Sequence, residues 1–201
     1  TGAYRMLEDN REAIRERIGL QVEVVRIGIK DPAKPRSAPS DLFTTNLDEV
    51  VLDPAIDVVL ELIGGVEPAG ELVERALRNG KHVITANKEL MARDGSRLVR
   101  LARQCGLDLH FEAAVGGGIP LIQPMKHQLS GNDVLKLMGI LNGTTNYILT
   151  KMAEEGLERQ LALAGAQERG YAEADPTADL EGYDAQYKLA ILASIAFHGE
   201  V

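Results

Sequence analysis

The sequence predicts an α/β protein in which a partial doubly wound parallel sheet is followed by a smaller α+β domain. Between residues 56 and 111, three short apolar runs of strand length alternate with amphipathic helical segments. This alternation favours parallel pairing, because a parallel connection has to cross the sheet and usually does so as a helix. The pattern then changes after three consecutive glycines at positions 116–118.

The first part of the chain is predicted to begin as a helix from Ala3, because Leu7, Ile14 and Ile18 form one apolar stripe. Residues 22–29 follow as a strand, and residues 30–45, which contain three prolines, as a loop. Since no strand precedes the helix, we expect this chain to lack the first strand of the sheet.

The central part is predicted to fold as three strands separated by two helices. Glycines at positions 80 and 106 end the helices, since glycine readily adopts the positive φ angle found after a helix. The strands are expected at residues 56–63, 82–85 and 107–111, and the helices at residues 68–79 and 96–104.

The last part is predicted to be mostly helical. A helix at residues 121–129 and a strand at 134–141 precede three helices, at 145–155, 157–169 and 181–198. The chain is therefore expected to divide into domains at residues 1–118 and 119–201.

Composition excludes several classes of protein. A net charge of −8 argues against a nucleic-acid partner, because phosphate binding requires a basic surface. No apolar run approaches the ~20 residues that a membrane span needs, and no signal segment is recognisable. The single cysteine, Cys105, excludes an internal disulfide framework and is expected to be buried or half-buried. The cytoplasm is the expected location.

A dinucleotide site is suggested by the strand–helix–strand pattern, although the G-x-G-x-x-G loop is absent and only Thr1-Gly2 resembles its end. Lys30 and Asp31 follow the second predicted strand, where an acidic residue would favour NAD. Lys30, together with Lys34 and Arg36, would instead favour the 2′-phosphate of NADP. A solvated basic loop explains these charges equally well.

Two further segments carry polar or glycine-rich patterns. Lys88 follows a predicted strand at the edge of the sheet where ligands bind. Residues 112–120 combine an acid with a glycine run, which would allow backbone carbonyls to surround a hard cation. A hinge between domains is the simpler interpretation of this second segment.

The densest group of polar residues lies between positions 170 and 188. Pro176 prevents a continuous helix, so Glu173 and Asp179 are expected on an ordered loop. Asp184 and Lys188 stand four residues apart on the next helix, where apolar residues begin. A partly desolvated lysine held by a carboxylate is suited to acid catalysis. The alternative is a surface salt bridge, worth ~0–1 kcal/mol.

Four motifs in the expected order together resemble homoserine dehydrogenase over essentially the whole chain. They are TANKELMA at 85–92, EAAVGGGIP at 112–120, LNGTTNYI at 141–148 and the segment 170–188. The resemblance implies a Rossmann-type sheet followed by a substrate-binding and dimerisation domain. It also implies NAD- or NADP-dependent interconversion of L-homoserine and L-aspartate 4-semialdehyde, in the biosynthesis of threonine, methionine and isoleucine.

The resemblance further assigns roles to individual residues. Lys188 would be the proton donor with Asp184 assisting it, and Glu173 would hold the substrate amino group. Asp179, Gly143, Thr144 and Lys88 would line the substrate pocket. Lys30, Ile63, Gly64 and Lys88 would contact the cofactor. Backbone oxygens of Glu112, Val115, Gly117 and Ile119 would bind a monovalent cation, Na⁺ or K⁺, and the complete protein would be a homodimer.

Two alternatives remain open at this point. A non-catalytic nucleotide-binding module, or an inert truncation of the same fold, would retain the strand–helix pattern. A semialdehyde dehydrogenase that forms a thioester would need a cysteine activated by a histidine, and the sequence around Cys105 offers no such setting.

Overall fold

The computed structural model describes residues 2–199 and residue 201. The predicted first helix is present as two, α1 (Gly2–Asp9) and α2 (Arg11–Ile18). The break falls at Asn10, where φ is −112° and ψ is 16°, and where the backbone and side-chain amides both donate to the Met6 carbonyl. Neither helix buries a residue.

The predicted strand at residues 22–29 is wrong in extent. Only the two residues of β1 (Ile27–Gly28) pair with another strand, and they run parallel to β2 (Phe43–Thr44). A Cβ atom at Gly28 would lie 2.5 Å from a terminal methyl of Leu47, so a larger residue there would require that side chain to move. The short helix α3 (Asp48–Val51) follows.

The central parallel sheet is confirmed, with the strand order β3 (Val58–Glu61), β4 (His82–Thr85) and β5 (Leu109–His110). Within residues 2–199, this sheet and the β1–β2 pair are separate. Alternation along β3 and β4 directs Val59 and Val83 into the core, where they are 8% and 0% exposed.

Helices α4 (Ala69–Arg78) and α5 (Lys88–Cys105) connect the strands of this sheet. The predicted helix at 68–79 is confirmed, but the one predicted at 96–104 begins at Lys88. The reason is a local cap, because the Asn87 side chain accepts a hydrogen bond from the Leu90 amide. Lys88 is therefore the first residue of a helix.

The segment after the glycine run has less regular structure than predicted. A π-helical turn spans Pro124–Gln128. The strand predicted at 134–141 is wrong. No described strand lies beside this segment to accept its backbone hydrogen bonds, and Leu135 and Met138 are 92% and 79% exposed.

Four helices complete the chain: α6 (Gly143–Glu155), α7 (Arg159–Glu168), α8 (Thr177–Leu180) and α9 (Tyr183–Ala196). α9 packs against α5, and its Ile191 and Leu192 join the same core as Leu90 and Leu98. A smaller core lies between α6 and α7 around Ile148 and Ala162. The contact between α5 and α9 brings residues from both predicted domains together. Among the described residues, none of the helices is long and apolar enough to cross a membrane.

Candidate active site

The Asp184 carboxylate lies between two lysines. Its Oδ2 atom is 2.6 Å from Nζ of Lys188, one turn further along α9, and its Oδ1 atom is 2.6 Å from Nζ of Lys88. The side chain of Asp184 is only 8% exposed, whereas those of Lys188 and Lys88 are 19% and 42% exposed. The pair at positions 184 and 188 is thus part of a buried cluster that extends to a second helix.

The ionised form of Asp184 is strongly favoured. Burial by itself would raise the pKa of this carboxyl, but hydrogen bonds from Asn142, Lys188 and Lys88 outweigh it and lower the pKa to about 2. Lys188 also donates to the Leu141 carbonyl, at 2.8 Å. These two contacts occupy two of the three N–H bonds of its ammonium group, so one remains for a ligand.

Asn142 is a member of the cluster that the sequence interpretation missed. Its Nδ2 donates to Asp179 at 2.6 Å and to Asp184 at 2.9 Å, while its Oδ1 accepts from the backbone and side chain of Thr145. An asparagine before Gly-Thr-Thr is a recognisable helix cap, so the second role could have been found only from the tertiary contacts.

The other predicted substrate residues differ in how closely the structure joins them to the cluster. Gly143 and Thr144 begin α6, and the Thr144 hydroxyl donates to the Tyr171 carbonyl. Asp179 accepts from Asn142. It lies on α8 and not on a loop, because Pro176 precedes that helix and is compatible with its start. The side chain of Glu173 is exposed, and no described hydrogen bond or ion pair connects it to Asp184.

The carboxyl end of β3 forms the predicted cofactor region around Ile63 and Gly64. The Glu61 carboxylate, on a side chain that is 3% exposed, accepts the amides of Ile63 and Gly64 at 2.7 and 3.2 Å and the Thr85 hydroxyl at 2.5 Å. Gly64 has a φ of +86°, and a Cβ atom there would meet only open space. A ligand can therefore approach this backbone closely, as a dinucleotide requires.

Asn87 connects that turn to α5. Its backbone amide donates to the Thr85 hydroxyl, and its Nδ2 donates to the Gly65 carbonyl at 2.6 Å. The ends of β3 and β4 are thus held together next to Lys88. The residues present fit a bound nicotinamide cofactor. The accessible backbone at Gly64 and the partly exposed Lys88 both lie at the edge of the sheet where ligands bind.

Lys30 is exposed at the start of the loop that follows β1. The Arg36 guanidinium donates to the carbonyls of Asp31 and Lys34, and the Asp31 carboxylate accepts the Ala33 amide. Arg36 and Asp31 therefore hold the shape of this loop, whereas Lys30, two residues after β1, leaves its side chain exposed.

The Glu112 carboxylate points at backbone amides. It accepts from Leu121, Ile122 and Gln123 at 2.5, 2.8 and 2.8 Å, and these bonds lower its pKa although burial opposes them. The carboxylate thus closes the glycine segment onto the following helical turn. No group of three or more His, Cys, Asp or Glu residues in the described part of the chain is arranged to hold a metal ion.

Cys105 is exposed at the last position of α5, so the expectation of a buried or half-buried thiol is wrong. The helix end lies at the surface, and the core positions of its last turns are taken by Leu101 and Ala102.

Two family models match the chain. The one described as the NAD binding domain of homoserine dehydrogenase matches residues 1–112, and the one described as homoserine dehydrogenase matches residues 120–201. Homoserine dehydrogenase of Synechocystis is 46% identical over all of this chain and 46% of its own length. That of Bacillus subtilis is 44% identical over 98% of this chain and 46% of its own length.

The chain is also similar to solved structures of homoserine dehydrogenases. The crystal structure of a homoserine dehydrogenase from Thiobacillus denitrificans is similar with a TM-score of 0.90 and 47% identity, over 98% of this chain and 46% of that one. A hyperthermophilic archaeal homoserine dehydrogenase, solved in complex with NADPH, is similar with a TM-score of 0.69 and 31% identity, over 75% of this chain and 47% of that one. The chain thus spans about half the length of the curated relatives it matches.

Proposed function

Because the chain belongs to the homoserine dehydrogenase family, we propose that the whole protein interconverts L-homoserine and L-aspartate 4-semialdehyde with NAD or NADP. The observation that supports this proposal is the pair of salt bridges that the buried Asp184 carboxylate makes with Lys188 and Lys88. Threonine, methionine and isoleucine biosynthesis is the pathway that such a reaction serves.

Lys188 is the proposed acid. When the aldehyde is reduced, negative charge develops on its oxygen, and the remaining N–H of the Lys188 ammonium group stabilises that charge and transfers a proton. In the oxidation direction the same nitrogen takes the proton back. The nicotinamide cofactor supplies or accepts the hydride. Asp184 keeps the Lys188 ammonium aligned, since it holds Nζ at 2.6 Å from a fixed, ionised oxygen.

The substrate carries its own ammonium group, which acidic residues would bind. Glu173 is the proposed partner of this group, because its carboxylate is exposed and not joined to another described side chain. Asp179, Gly143 and Thr144 would line the remainder of the pocket, and Lys88 would lie between substrate and cofactor.

The proposed cofactor contacts are Lys30, Ile63, Gly64 and Lys88. The open turn at Gly64 supports close approach of the dinucleotide, and the exposed Lys30 ammonium supports binding of a 2′-phosphate or a ribose. An archaeal relative bound to NADPH is consistent with use of the phosphorylated cofactor. NAD remains the alternative, since Asp31 stands next to Lys30.

Further parts of the proposal concern the complete protein. They are a monovalent cation on the backbone oxygens of Glu112, Val115, Gly117 and Ile119, a homodimer, a cytoplasmic location, and a division into a cofactor-binding domain at 1–118 and a substrate-binding domain at 119–201. Positive φ angles at Gly116 and Gly117 support the cation site, because they turn the backbone sharply. One family model ends at residue 112 and the other begins at residue 120, which supports the division into two domains.

The decisive experiment is a turnover assay on a protein that carries this chain within the full length of its relatives. We expect L-homoserine-dependent reduction of NADP or NAD, followed by nicotinamide absorbance, and no loss of rate in Cys105→Ser. Cofactor binding without turnover would support a non-catalytic module instead. Loss of turnover in Cys105→Ser would favour thioester chemistry.

A further inference from the structure

The side chain of Asn142 uses all of its hydrogen-bonding groups inside the molecule. It is 8% exposed and stands at the N-cap of α6, between the cluster around Asp184 and the helix that carries Thr144. We propose that Asn142 is a positioning residue, which sets the relative placement of Asp179 and Asp184 and thereby the alignment of Lys188. This inference rests on the proposed function, since it assigns Asn142 to the same site.

Asn142 binds two carboxylates that belong to different helices. Asp179 comes from α8 and Asp184 from α9, and both accept hydrogen bonds from the one Nδ2 atom of Asn142, at 2.6 and 2.9 Å. Two carboxylates this close to a shared atom repel each other. A donor with two N–H bonds and no charge relieves the repulsion and fixes the distance between them.

The helix cap determines the orientation of the Asn142 amide. Oδ1 of Asn142 accepts from both the backbone and the hydroxyl of Thr145, at 2.8 and 2.9 Å. If the amide turned over, its NH₂ group would face these donors and its oxygen would face the carboxylates. The cap therefore fixes the direction in which the two N–H bonds of Asn142 point.

The consequence for the site follows from the Oδ2 atom of Asp184. This oxygen accepts from both Asn142 and Lys188, whereas Oδ1 accepts from Lys88. Without Asn142 the carboxylate would be held only by flexible lysine side chains and could rotate. The Lys188 ammonium would then lose its fixed partner, and a small misalignment of a proton donor is sufficient to slow a reaction.

Three substitutions at this position separate the positioning role from helix capping. Asn142→Ser retains a good cap but loses both N–H donors, Asn142→Asp retains the cap and adds a third carboxylate, and Asn142→Ala loses both functions. We expect Asn142→Ser to melt between Asn142→Ala and the wild type, because it keeps the cap but loses the hydrogen bonds to two carboxylates, while its kcat/KM falls roughly 10- to 100-fold. Asn142→Asp should be slower still. If Asn142→Ser keeps wild-type kcat/KM while Asn142→Ala melts earlier, Asn142 is only a helix cap and the proposal fails.

A second measurement does not depend on turnover. In protein labelled with ¹³C at the aspartate carboxyl, the pH titration of Asp184 can be followed by NMR and assigned with Asp184→Asn. Loss of the Asn142 donor in Asn142→Ser should move this titration to higher pH, whereas Lys151→Ala, which breaks a surface pair of the same spacing on α6, should leave it unchanged. A shifted titration in a protein without homoserine turnover would overturn the proposed function and keep the positioning role. An unshifted titration in Asn142→Ser would overturn the positioning role.

Discussion

At the scale of single residues, the site depends on one buried carboxylate that binds two ammonium groups. Asp184 binds the ammonium groups of Lys188 and Lys88, and Asn142 joins it to a second carboxylate, Asp179, so the four ionised side chains carry no net charge. The cluster nevertheless leaves one N–H of Lys188 for an electron-rich oxygen. It also differs from an ordinary surface pair, because Asp184 is removed from water and accepts a further hydrogen bond from Asn142.

Lys188→Ala tests this assignment directly. We expect kcat to fall roughly 10²-fold or more with cofactor affinity nearly unchanged, because the lost ammonium acts on the reacting oxygen. Steady-state kinetics and a separate cofactor titration on the full-length protein would measure both. Lys151→Ala is the matched control, since Lys151 pairs with Glu155 at the same helical spacing but on α6. Equal turnover in the two variants would contradict the role of Lys188.

Glu173→Gln tests the proposed contact with the substrate ammonium. The KM for homoserine should rise while kcat changes little, because the charge pairs with that group in both the ground state and the transition state. Glu181→Gln, which alters an exposed carboxylate following α8, is the control. A change confined to the cofactor KM would mean that Glu173 belongs to a different part of the site.

At the scale of elements, the ends of β3 and β4 are joined by one buried acid. Removing the Glu61 side chain would leave the amides of Ile63 and Gly64 and the Thr85 hydroxyl without their partner. We expect Glu61→Ala to lower the free energy of unfolding by about 1–3 kcal/mol, the cost of leaving the buried Thr85 hydroxyl without its acceptor and of removing the acceptor of two part-buried amides. Urea unfolding would measure it. Glu71→Ala on the exposed face of α4 should stay within about 0.5 kcal/mol of the wild type, and an equal loss in both variants would contradict the argument.

Whether a feature could be predicted from the sequence depends on how far apart in the chain its contacting residues lie. β4 was predicted with its correct bounds, and the pair Asp184–Lys188 was found, because both depend on residues close together in the chain. The strands expected at 22–29 and 134–141 failed, since a strand needs a partner whose presence no local pattern reveals. Lys88 was predicted in the site but not as a partner of Asp184, and Asn142 was missed, because both contacts join distant parts of the chain.

At the scale of the whole molecule, α5 and α9 are held together by apolar packing and by the contact of Lys88 with Asp184. The electrostatic part of this junction depends on the ionised carboxylate. Since the folded protein lowers the pKa of Asp184 from an ordinary 3.8 to about 2, the folded state binds a proton there less readily than the unfolded state. The resulting stabilisation is therefore complete above about pH 5 and is lost as the pH falls through 3.8 towards 2.

The dependence of stability on the protonation of Asp184 can be tested in solution. The pH-dependent stabilisation by Asp184 amounts to about 2 kcal/mol, and Asp184→Asn should remove it. The difference in unfolding free energy between wild type and Asp184→Asn should be large at pH 6, where two buried or partly buried lysines also lose their partner, and should shrink by about 2 kcal/mol on acidification to near pH 2. Asp133→Asn, at an exposed position, is the control and should change the unfolding free energy by no more than about 0.5 kcal/mol. Chemical denaturation of the three proteins across this range would measure the differences, and a gap between wild type and Asp184→Asn that stays constant from pH 6 to pH 2 would mean that Asp184 does not carry the electrostatic link between α5 and α9.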